Sequence, residues 1–117
     1  MLLRAGLALF LATAAAADPV EVVAVEVTKA ADGTWRFDVT LAHPDTGWEH
    51  YADGWLVVAP DGTVLGEREL LHPHVNEQPF TRSLSGVAIP EGIAEVQVQG
   101  RCNIDGVTRP GRTVAVP

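Results

Sequence analysis

The sequence of 117 residues predicts an all-β domain behind a short export leader. Apolar residues recur with a period of two along most of the chain, and turns rich in Gly, Pro and Asp interrupt them every few residues. Beyond residue 17, no segment carries an apolar repeat of helical period.

The leader comes first. Met1-Leu2-Leu3-Arg4 supplies one positive charge, an apolar run follows from Ala5 to about Ala14, and Ala15-Ala16-Ala17 precede Asp18-Pro19. That run is too short to span a bilayer, and small residues before the boundary are what a signal peptidase accepts. Residues 1–17 are therefore expected to be a cleaved signal peptide, and residues 18–117 one domain with one core. No Cys stands at the boundary, so no lipid anchor is expected there. A periplasmic or secreted location follows, with no membrane insertion after cleavage. With Arg4 removed, 7 basic residues face 15 acidic ones, a net charge of −8. That balance argues against nucleic acid as a partner and suits cationic ligands.

The strands follow in order. Val20 to Thr28 places Val23, Val25 and Val27 on one face and Glu26 and Thr28 on the other. Asp32-Gly33 is a hairpin turn, because both central residues of such a turn tolerate positive φ. Trp35, Phe37, Val39 and Leu41 then alternate with Arg36, Asp38 and Thr40. Trp55–Val58 is a third strand, and Pro60-Asp61-Gly62 turns it into a fourth that runs from Thr63 to about Leu71. A fifth spans Phe80–Leu84. After Pro90-Glu91-Gly92, Ala94–Gln99 sends Val96 and Val98 inward and Glu95, Gln97 and Gln99 to water, and Arg112–Val116 closes the chain. Short strands at this spacing predict a two-sheet antiparallel sandwich, immunoglobulin-like or fibronectin-like, with a small barrel as the alternative.

Two stretches depart from this pattern: residues 43–55, from His43 to Trp55, and residues 72–82, from His72 to Arg82. They hold all 4 histidines, two of the three tryptophans and the one tyrosine. Loops on a rigid β scaffold are where binding residues concentrate. With its motifs DTGWEHYADGW and HPHVNEQPFTRSL, the chain resembles a family of small exported bacterial proteins of unknown function, over roughly residues 34–100. The resemblance implies a small exported domain and brings no activity or cofactor with it. Cys102–Gly111 falls outside it.

His43, His50, His72 and His74 form a candidate metal site, since imidazole is the commonest neutral ligand for zinc and copper. His72 and His74 are two apart and leave an extended segment on one face. His43 or His50 would add a third donor, with Asp45, Glu49, Glu77 and Cys102 in support. Met1 is the only methionine, so a thioether-rich Cu(I) site is not expected, and Zn(II) or Cu(II) is the better fit. The competing reading makes the same histidines structural, in a rigid bend around Pro73. Cys102, the one cysteine, has three readings open: a buried apolar residue, an intermolecular partner, or a ligand.

No catalytic signature stands out, and a non-catalytic protein is expected. Asp45-Thr46-Gly47 matches the aspartic protease tripeptide, but Pro44 and Trp48 flank it where that family has an apolar and a small residue. Nothing local marks Cys102 as an activated nucleophile, and no Gly-x-Ser-x-Gly elbow is present. The alternative function is a protein- or carbohydrate-interaction module. Trp48, Tyr51, Trp55 and Phe80, if exposed, would form an aromatic platform, although a small sandwich needs large side chains for its core. Arg82 is expected to pair with Glu49 or Glu77.

Overall fold

The computed structural model describes residues 18–117, so the expected leader at residues 1–17 lies outside the described residues. These residues form eight strands: β1 (Glu21–Lys29), β2 (Trp35–Ala42), β3 (Ala52–Val58), β4 (Val64–Glu69), β5 (Phe80–Val87), β6 (Glu95–Cys102), β7 (Gly106–Val107) and β8 (Arg112–Ala115). One sheet has the order β1-β2-β5. The other has the order β4-β3-β6, with β6 pairing β8 along Glu95–Val98 and β7 at Arg101 and Cys102. All pairings are antiparallel, and the two sheets pack as an open sandwich of the immunoglobulin/fibronectin type, not a closed barrel.

Period-two alternation puts Trp35, Phe37, Val39 and Leu41 of β2 into the interior, where they meet Trp55 and Val57 of β3 and Val96 and Val98 of β6. Each such burial is worth about 1.5–3 kcal/mol. Gly100 allows β1 to close over β6, because a Cβ there would run into the side chain of Val20.

Two residues depart from their expected faces. A bulge between Val22 and Ala24 shifts the register of β1 against β2, so Val22 packs on the core and Val23 is 38% exposed. Gln99 is buried, not solvated: the chain at Gly111 crosses against its side chain, and Gln99 Nε2 donates to Gln97 Oε1. The short strand β7 was not legible, because two residues carry no period.

The connections that cross between the sheets position the site. Residues 43–51 lead from β2 to β3, and residues 70–79 lead from β4 to β5. Both lie at one end of the sandwich, as the register pairs Leu41 with Phe80, Gly54 with Glu69 and Ala52 with Cys102. The β6–β7 turn, residues 103–105, lies at the same end. The two unusual stretches of the sequence are thus neighbours in space.

Candidate metal centre

Asp45 organises this end. Its side chain is fully buried, and its Oδ1 accepts from His43 Nδ1–H at 2.6 Å and from Ala52 N–H at 2.9 Å. Its Oδ2 accepts from His74 N–H at 2.9 Å. One carboxylate therefore ties β2, β3 and the 70–79 connection together. Gln78 adds a second tie, accepting from His43 N–H at 3.0 Å and donating to the His74 carbonyl at 2.9 Å. With both oxygens engaged in this way, Asp45 is a structural anchor, and the protease-like tripeptide has no catalytic setting here.

A carboxylate can only accept, so the contact at Nδ1 fixes the proton of His43 on that nitrogen. Nε2 is left with a free lone pair, buried and without a hydrogen-bond partner. A carboxylate holding the far nitrogen of an imidazole is the arrangement that orients metal-ligating histidines.

His50 is placed by a tight turn in which Thr46 N–H donates to the His50 carbonyl at 3.0 Å and His50 N–H to the Gly47 carbonyl at 3.2 Å. Its ring meets that of His43 edge-on, with centroids 4.8 Å apart. Its Nε2 lies 3.4 Å from the Sγ of Cys102, which ends β6 and is buried. One nitrogen of each of these imidazoles and Cys102 Sγ all lie within 4.8 Å of one another.

His72 and His74 stand apart from that cluster. Their rings are 4.7 Å apart, and the ring of His74 stacks on Phe80 at 4.0 Å. His74 Nε2 accepts from Arg82 Nη2 at 2.8 Å, so the lone pair a metal would need is already used by a cation. Phe80 and Trp55 belong to the core, which reduces the expected aromatic platform to Trp48, 64% exposed, with Tyr51 edge-on to it at 5.6 Å. Arg82 pairs with Glu77 at 3.3 Å rather than with Glu49, an exposed pair worth little.

Sequence spacing singles out His72 and His74, whereas the structure brings His43 and His50 together with Cys102. His72 and His74 share a face, but only His43 has a buried lone pair held in place by a carboxylate. Asp105 was missed altogether: its Oδ2 lies 3.5 Å from Cys102 Sγ and 3.6 Å from His50 Nε2. The signal for it was a Cys followed three residues later by Asp, just before a glycine.

Burial, together with the positive charge of Arg82 and of His72, holds the His74 imidazole below its ordinary pKa of 6.5. The folded chain thus refuses a proton that the unfolded chain accepts. Stability should be full above about pH 6.5 and fall as the pH drops below it, levelling off at the folded value. Thermal melts across that interval should show the decline, and His74→Gln should flatten it. An unchanged slope in that variant would remove His74 as its cause.

Fold and site together define an all-β sandwich with a partly buried His-His-Cys donor cluster at one end. The chain is similar to a protein of Halomicrobium mukohataei named "Putative lipoprotein", 44% identical over 85 residues, or 73% of this chain. The match spans 41% of that protein's length. No family model and no solved structure matches the chain.

Proposed function

We propose that this chain is an exported, non-catalytic metal-binding protein that holds one Zn(II) or Cu(II) ion between His43, His50 and Cys102. The observation that carries the reading is His43 Nε2, a buried lone pair with no partner, beside a second imidazole and a thiol. An unpaired buried polar atom costs about 1–3 kcal/mol, and a coordinated ion would remove that cost. Two imidazoles and a thiolate suit Zn(II) and Cu(II), and Asp45 is the outer partner that keeps His43 in its ligating tautomer. Export is supported by the leader-like sequence of residues 1–17 and is in keeping with the name of the Halomicrobium mukohataei protein.

Calorimetric titration of the domain with Zn(II) should give one ion per chain, and Cu(II) should add a visible thiolate-to-copper absorption band. His43→Ala and Cys102→Ala should each weaken Zn(II) binding by more than about 10- to 100-fold, the loss typical of an outer-shell partner alone. His72→Ala should leave it unchanged. Binding weaker than micromolar in the wild type, or indifference to His43→Ala, defeats the reading.

The interaction reading keeps one specific support. Trp48 is exposed beside a shallow cleft of 550 Å³ lined also by Pro73, Val75 and Asn76. An exposed Trp beside polar groups suits a sugar ring or a protein side chain.

A further inference from the structure

We infer that Asp105 is a fourth donor of this site and makes it selective for divalent over monovalent ions; the inference rests on reading His43, His50 and Cys102 as a metal centre. Three distances carry it. Cys102 Sγ lies 3.4 Å from His50 Nε2 and 3.5 Å from Asp105 Oδ2, and those last two atoms are 3.6 Å apart. In four-coordinate zinc, bonds of about 2.3 Å to sulfur and about 2.0–2.2 Å to nitrogen and oxygen place neighbouring donors roughly 3.4–3.6 Å apart. The sulfur, nitrogen and oxygen atoms already form one face of a coordination tetrahedron. His43, with one ring nitrogen within 4.8 Å of the His50 and Cys102 donors, would draw in to supply the fourth corner.

The turn that carries Asp105 is built to hold it there. Cys102 pairs with Gly106 across the β6–β7 hairpin, and Gly106 takes a φ of 72° that closes the turn. Asp105 N–H donates to Cys102 Sγ at 3.1 Å. Asn103 then fastens the turn to the loop bearing His50. Its Oδ1 accepts from Tyr51 N–H at 2.9 Å, and its Nδ2 donates to the Trp48 carbonyl at 3.1 Å. Cys102-Asn103-Ile104-Asp105 thus has the spacing of a Cys-x-x-Cys metal loop, with a carboxylate in the second ligand place.

Charge sets the selectivity. A thiolate and a carboxylate with two neutral imidazoles bring two negative charges, which a divalent ion neutralises. A monovalent ion would leave one uncompensated charge beside the buried His43 and Cys102, which is costly. Carboxylate oxygen is also the harder donor, poorly matched to Cu(I).

Zn(II), Co(II) and Cu(I) titrations of the wild type, Asp105→Asn and Asp105→Cys test this. Asp105→Asn should lower Zn(II) and Co(II) affinity at least 10- to 100-fold, roughly the loss seen for outer-shell partners, while Cu(I) affinity stays level. Asp105→Cys, which restores the Cys-x-x-Cys pair, should recover Zn(II) binding and deepen the Co(II)–thiolate absorption. Equal Zn(II) affinity in the wild type and Asp105→Asn overturns the inference, as does a parallel loss of Zn(II) and Cu(I). If the wild type binds no metal, the metal-centre reading falls and this one with it. If binding is lost in His43→Ala but untouched in Asp105→Asn, only the role of Asp105 falls.

Discussion

Asp45→Ala is expected to be among the most destabilising single changes at the loop end of the sandwich. It strips an acceptor from His43 Nδ1, Ala52 N and His74 N, all drawn to one buried carboxylate. With about 1–3 kcal/mol for each donor left unsatisfied, and partial relief by water, the loss should reach about 3–5 kcal/mol. In a domain of this size that lowers the melting temperature by more than about 10 °C. Thermal or urea unfolding measures it. Asp45→Asn separates anchoring from ligand orientation. Its amide oxygen can still accept from His43 Nδ1 and Ala52 N–H, while its NH2 then faces His74 N–H, so only part of the stability should return. A neutral amide is a weaker acceptor than a carboxylate and polarises His43 less, so Zn(II) affinity should stay about 10- to 100-fold low. A melting temperature of Asp45→Ala within a few degrees of wild type would show that the carboxylate does not hold the two connections together.

Trp55→Ala should cost about as much, for a different reason. Trp55 is fully buried on β3, flanked by β4 on one side and β6 on the other. Removing so large a side chain from between packed sheets costs about 3–5 kcal/mol, because the surrounding β scaffold relaxes only in part. Trp55→Phe should cost much less: it keeps most of the ring volume and deletes an indole N–H that is buried without a partner. Equal losses in the two variants would mean that the indole nitrogen is satisfied in solution.

The sandwich was legible in the sequence wherever one side of a strand is wet and the other dry. β2 is the clearest case, since Trp35, Phe37, Val39 and Leu41 alternate with polar residues and all four are buried. The reading slipped where a local event broke the period. The bulge after Val22 exchanged the inward valine, and a passing segment covered Gln99. The site was legible only as two segments rich in histidine. Which histidines converge depends on the connections that cross between the sheets, and on whether a ring is already engaged, as that of His74 is by Phe80 and Arg82. Cys102 was weighed as a ligand, yet its place beside His50 rests on a pairing 52 residues apart. Asp105 lies in a stretch without strand period, where its spacing of three from Cys102 becomes meaningful only in the folded turn.

The donors come from connections at one end of the sandwich, and this leaves the opposite rim free of any part in the site. That rim carries the tight turns between β1 and β2 and between β3 and β4, where Asp32, Gly33, Asp61 and Gly62 are exposed. Exposed turn tips of small and polar residues are where inserted sequence is best tolerated. The chain can therefore be tethered, labelled or fused through either tip, presenting its histidine-bearing end outward like the tip of a probe.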